Sequence, residues 1–163
     1  MSVPLLRFLA VLLALSSAGV VLLPWIDPWG ESARETARTK YRAQDVSGFR
    51  LARGDQVDLG PFVLAAGALG AAAAVAAWVV GARGRRDRAR VLFATAFALL
   101  LAEGIVAGTV LLRGPGEPGV VMRLPVVPAF EWAAYLAPAV ALAAAGLCGS
   151  VVARTTPIPD RGR

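Results

Sequence analysis

An all-α membrane protein, with four helices that each cross the bilayer, is the fold class this 163-residue chain predicts, on three observations. First, 57% of the residues are hydrophobic and the mean hydropathy is +0.63, far too apolar for a soluble domain of this length. Second, four apolar segments each approach the roughly 20 residues of helix that cover a hydrocarbon core about 30 Å thick. Third, the charges, net +6, gather between those segments, as they must where lipid is the solvent. Helices are required because lipid offers no partner to backbone N–H and C=O groups, and the segments are too long and too rich in Ala and Leu for barrel strands.

The first span, residues 5–26, holds an uncharged run from Phe8 to Ile26 behind Arg7. Ser16-Ser17-Ala18 has the small residues of a cleavage site, but the apolar run continues through "GVVLLPWI", so an uncleaved anchor is expected. The outer loop, 27–58, carries six basic and six acidic residues, a net charge of zero. Within it Glu31 and Glu35 precede Arg34, Arg38 and Arg42 at helical spacings, with Glu31–Arg34 and Glu35–Arg38 at i,i+3, which predicts a short surface helix. The later "FRLARGDQV" reads as extended or turning, with Arg53-Gly54-Asp55 as a turn. A loop this short builds no core of its own and must lie on the helix ends or on a partner.

The second span, 59–82, is uncharged and ends at "ARGRRDRAR", where Arg83, Arg85, Arg86, Arg88 and Arg90 stand with one acid. Positive residues near membrane ends resist translocation, so this loop, 83–90, is expected inside the cell, in contact with anionic lipid headgroups rather than nucleic acid. Both termini then lie inside, which agrees with Arg7 and with Arg154, Arg161 and Arg163 of the tail, 154–163. The third span, 91–112, is broken only by Glu103. The second outer loop, 113–128, opens with "RGPGEPG", a turn signal. In the fourth span, 129–153, Glu131 suits the positive end of the helix, and Pro138 frees the carbonyl of Ala134 and allows a kink. Trp25, Trp29, Trp132 and Tyr135 at the outer ends and Trp78 near an inner end are expected to anchor at the headgroup level.

Small residues let helices approach closely in lipid. Gly104 and Gly108 on the third span, Gly67 and Gly70 on the second and Gly149 on the fourth are the expected packing positions. Counted at about 1.5 Å per residue, Glu103 lies roughly 18 Å from the inner edge, near the bilayer midplane, and Ser16 and Ser17 share its depth. A charged carboxylate there costs at least ~3 kcal/mol on insertion scales. Glu103 is therefore expected to face inward, neutral and hydrogen-bonded to Ser16 or Ser17, tying span three to span one. Pairing with a partner subunit, or handling of protons or cations, are the alternatives.

The chain has no histidine, which removes the commonest general base and metal ligand. Cys148, its only cysteine, forms no internal disulfide and reads as a packing residue. No cofactor, metal or catalytic set is expected. "LPW" closing the first span, "SGFRLARGD" before the second and "RGRRDRAR" after it resemble the tryptophan-biosynthesis-associated membrane proteins, a group of small four-span bacterial proteins. The resemblance implies topology and no catalytic residues. A multi-pass protein of the bacterial cytoplasmic membrane is thus expected, a non-catalytic accessory subunit working through helix faces and the first outer loop, with a partner membrane protein or as a homo-oligomer. A small transporter or channel subunit using Glu103 is the competing expectation.

Overall fold

The computed structural model describes residues 2–27, 46–47, 59–114, 119–121, 124–126 and 129–156. Among the described residues four helices carry the fold: α1 (Val3–Val20), α2 (Leu59–Ala82), α3 (Arg86–Arg113) and α4 (Trp132–Thr155). Each is long and apolar enough to cross a membrane, which makes the chain a multi-pass membrane protein built as a four-helix bundle. The surface helix expected around 31–42, the "FRLARGDQV" segment, Trp29, Arg161 and Arg163 lie outside the described residues.

α1 packs on α2 and α4, and α3 packs on the same two helices. The helices therefore form a ring in chain order, with α1 and α3 facing each other across its centre. Neighbours run antiparallel. Along the α2–α3 seam Gly67 meets Glu103, Gly70 meets Leu100 and Gly81 meets Ala89, so one helix ascends as the other descends.

The turn between α2 and α3 is shorter than the expected loop 83–90, because Arg86, Arg88 and Arg90 already belong to α3. Glycine explains the tightness. Gly84 adopts φ +79°, its N–H donates to the Gly81 carbonyl at 3.1 Å, and the Arg85 N–H donates to the Val80 carbonyl at 3.3 Å. This paired closure of a helix end needs a left-handed residue, which glycine adopts without a Cβ penalty. Asp87 in the first turn of α3 pairs with Arg90 at 3.8 Å, an exposed contact worth little.

The first span is also corrected. α1 stops at Val20, six residues before the expected end at Ile26. Pro24 has no N–H to donate and pushes Leu23 toward extended backbone. Pro24–Asp27 instead forms a strand, β1. β1 pairs antiparallel with β2 (Val46–Ser47) and with a later strand, β5 (Ala129–Phe130), and β3 (Gly119–Val121) with β4 (Leu124–Val126) makes a separate hairpin. Among the described residues these strands are short, and most of the rest is helix. At the other end of the chain α4 continues through Pro138 as one helix to Thr155.

The interior is mostly alanine and divides in two. Leu6, Ala10, Ala14, Ala74, Phe93, Leu100 and Val151 belong to one apolar cluster, toward the arginine-rich turn. Trp25, Val63, Ala107, Val110 and Ala134 belong to the other, toward the strands. Between the clusters lies the polar layer described next.

Candidate functional site

Glu103 follows Leu100 by one turn and precedes Ala107 by one turn on the buried face of α3, so helical periodicity aims it at the centre of the ring. It is 1% exposed. Ser17 occupies the equivalent position on α1, one turn after Ala14, and is fully buried. The Ser17 hydroxyl donates to Glu103 Oε1 at 2.9 Å. Since α1 and α3 are diagonal partners, this single bond spans the bundle axis.

Of the two serines that share the depth of Glu103, only Ser17 reaches it. Ser16 is exposed and its hydroxyl donates to its own helix, to the Leu12 carbonyl at 3.0 Å. One residue is 100° of helix, enough to turn a side chain from the centre to the surface. Ser17→Ala is expected to lower stability by about 1 kcal/mol, the scale of an interhelical hydrogen bond in a membrane. Ser16→Ala should change it by less than about 0.5 kcal/mol. Unfolding in mixed micelles measures both, and equal effects would remove the special role given to Ser17.

Glu103 is held from the α2 side by an absence. A Cβ built on Gly67 would lie 2.8 Å from Oε1 and 3.0 Å from both Cδ and Oε2, so any residue but glycine collides with the carboxyl group. Glu103 Oε2 is covered yet has no hydrogen-bond partner. Such an atom costs on the order of 1–3 kcal/mol. Ala141 of α4, fully buried and placed between Ala137 of one cluster and Ala144 of the other, lies at the same level. Ser17 and Glu103 are thus a polar layer walled on both sides by apolar side chains.

The other expected packing positions divide. Gly70 lies against Leu100, Gly104 against Leu142 with a built Cβ at 2.8 Å, and Gly149 against Phe97 at 3.3 Å. Gly108 meets nothing within 4 Å, so the Gly104–Gly108 pair is not one contact surface. Four residues advance a helix by about 40° beyond a full turn, which carries Gly108 off the α3–α4 seam. Cys148 is a buried member of the apolar cluster nearer the arginines.

Among the expected surface anchors, Trp78, Trp132 and Tyr135 are exposed. Trp78 packs edge-on to Phe8, with centroids 6.3 Å apart, and Tyr135 packs edge-on to Phe130 at 5.9 Å. Trp25 corrects its expectation, because it is fully buried in the interior rather than presented to the headgroups. Its Nε1–H donates to the Val20 carbonyl at 3.0 Å. That carbonyl ends α1, where helix oxygens run short of intrahelical partners, and it also accepts from the Leu23 N–H at 3.1 Å. The Trp25 carbonyl in turn accepts from the Glu131 N–H at 2.8 Å, so one residue secures the end of α1 and the start of α4. Glu131 itself stands at the N-cap of α4 without a side-chain cap bond.

Arg83, Arg85, Arg86 and Arg88 are exposed around the α2–α3 turn and Arg90 is partly covered. Arg7, which the sequence placed only as an edge marker, lies against that turn: a Cβ on Gly81 would be 3.2 Å from Arg7 Nη1. Among the described residues no group of three or more His, Cys, Asp or Glu side chains is placed to hold a metal ion. Comparison with protein-family models, with curated proteins and with solved structures finds no match to this chain.

Proposed function

We propose that this protein is a non-catalytic accessory subunit of a bacterial cytoplasmic membrane, with its arginine-rich turn and both termini on the inner side. It engages another membrane protein, or a second copy of itself, through small-residue helix faces and the first outer loop. The observation that carries this reading is the enclosure of Glu103. A conduit for protons or cations needs polar groups above and below the carboxyl group, and the described residues put apolar clusters in both places. Glu103 then serves as a tie between diagonal helices.

Exposed small residues support the other half of the reading. Gly19 and Gly146 are exposed, and Gly108 is partly so. None of the three has an atom within 4 Å of the place a Cβ would occupy, so these glycines add nothing to packing within the bundle. Bare backbone on a lipid-facing surface suits close approach by another helix. The motifs "LPW", "SGFRLARGD" and "RGRRDRAR" are the support, in the same proposal, for a likeness to the tryptophan-biosynthesis-associated membrane proteins.

Glu103→Gln in proteoliposomes tests the assignment. Gln keeps an oxygen for Ser17 but brings an amide with two N–H donors to a site where Oε2 already lacks a partner, so stability should fall by about 1–3 kcal/mol. Decay of an imposed pH or cation gradient should match empty liposomes for both proteins. A wild-type flux that Glu103→Gln abolishes would overturn the accessory reading in favour of a transporter or channel subunit.

A further inference from the structure

We infer that Arg7 anchors a site for one phosphomonoester group at the arginine-rich end of the bundle, where α1, α2 and α3 meet. The group belongs either to a soluble phosphate compound or to the headgroup of a lipid of the phosphatidic acid type, and the test below separates the two. The site rests on neither the accessory role nor a helix-face partner.

Arg7 follows Leu6, whose side chain is buried in the apolar cluster toward the arginine-rich turn, and its guanidinium crosses from α1 to α2. A Cβ built on Gly81 would lie 3.2 Å from Arg7 Nη1, 3.7 Å from Arg7 Cζ and 3.4 Å from the Cβ of the buried Ala89 on α3. One point is thus shared by all three helices, and glycine there leaves the guanidinium the room that a side chain would take. Arg7 Nε is covered and has no hydrogen-bond partner. The side chain as a whole is only partly covered, so the guanidinium keeps an open edge. A cation drawn partly out of water without a counterion favours an anion at that edge.

Among the described residues the protein supplies no such anion. Asp87, the acid of the adjoining turn, is exposed and faces Arg90 at 3.8 Å, and Glu103 stands roughly 21 Å beyond Ala89 along α3. The carbonyls that end α2 are engaged as well: Val79, Val80 and Gly81 accept from the N–H groups of Arg83, Arg85 and Gly84 at 3.2, 3.3 and 3.1 Å. Arg83, Arg85, Arg86 and Arg88 are exposed and lie within four residues of Gly81 or Ala89 along the chain. With Arg7 and Arg90 they set six arginines against one acid. This excess selects the ligand class. A carboxylate spends both oxygens on a single guanidinium fork, whereas a phosphomonoester brings about two negative charges and three free oxygens, which take Arg7 and still meet the exposed arginines.

Inorganic phosphate, titrated calorimetrically into the full chain in a maltoside detergent with ionic strength held constant by chloride, should bind once per chain. Arg7→Gln should weaken that binding at least about ten-fold, the scale of a lost charge-assisted hydrogen bond. Arg7→Lys keeps the charge and the stem, and with them the fold, but not the planar fork, and should weaken it about three-fold. Arg83→Gln removes the same charge from an exposed position and should cost less than about two-fold. Displacement of the bound phosphate by phosphatidic acid in mixed micelles, but not by glycerol phosphate at the same concentration, assigns the lipid source, and the reverse assigns the soluble one. Displacement by neither would overturn the site. So would the absence of saturable phosphate binding in the wild-type protein, equal weakening by Arg7→Gln and Arg83→Gln, or an Arg7→Lys protein that binds as tightly as wild type. Neither liposome flux nor a partner enters this measurement, so its failure is distinct from failure of the accessory reading.

Discussion

Trp25→Ala is expected to cost about 3–5 kcal/mol, the range for truncating a large buried aromatic, and to be among the most damaging single substitutions in the protein. Trp25 is fully buried in a cluster that takes Val20 from α1, Val63 from α2, Ala107 and Val110 from α3, and Ala133, Ala134 and Ala137 from α4. Alanine and valine backbones cannot move in to fill the space an indole leaves without all four helices shifting. The substitution also removes one of the two donors to the Val20 carbonyl, leaving the Leu23 N–H. Trp25→Phe separates these losses, because it keeps most of the ring volume and forfeits the N–H, and should cost less than half as much. Equilibrium unfolding in mixed micelles reads both. A Trp25→Ala protein within about 1 kcal/mol of wild type would mean that Trp25 lies at the lipid surface, as its sequence position first indicated.

Trp25 marks where sequence reasoning ran out. Apolar length is a strong signal, and it located the four described helices within three residues everywhere except the end of the first and the start of the third, which begins five residues early among the arginines. At the end of the first the run "GVVLLPWI" stays apolar past the point where the backbone changes, since hydropathy does not distinguish a lipid-facing helix from a strand folded over a bundle end. Pro24 was the available warning. The hairpin Gly119–Val121 with Leu124–Val126 had a comparable hint in its valine-rich flanks, obscured by a Pro within the strand. Side-chain facing was legible only where two segments could be aligned by depth. Depth brought Ser16 and Ser17 to Glu103, but choosing between them needed the rotation of α1, which an almost uniformly apolar helix does not encode. Likewise Gly104 and Gly108 look equivalent on paper, and only the position of α4 separates them. Arg7 was read as topology alone because the residue it meets, Gly81, has no side chain to advertise the contact.

The contact between Gly67 and Glu103 yields the other large effect. Gly67→Ala places a methyl 2.8–3.0 Å from three atoms of the carboxyl group, well inside ordinary van der Waals separation, and Glu103 has no free volume to retreat into. Either α2 moves away from α3 or the carboxyl group turns off Ser17, and overpacking of this kind costs about 1–3 kcal/mol. Gly108→Ala is the control: with nothing within 4 Å, the added methyl should leave stability unchanged or raise it by up to about 1 kcal/mol through helix propensity. Glu103→Ala alone should cost about 2 kcal/mol, combining a void with a stranded Ser17 hydroxyl and offset in part by removal of the unpartnered Oε2. In the double variant the Gly67→Ala methyl enters the space vacated at position 103. Its loss should then fall short of the sum of the single losses by at least about 1 kcal/mol, as residues sharing one site do. Additivity within about 0.5 kcal/mol would mean that these two positions do not touch. The polar layer, and with it the account of Glu103 as the tie across the bundle, would have to be abandoned.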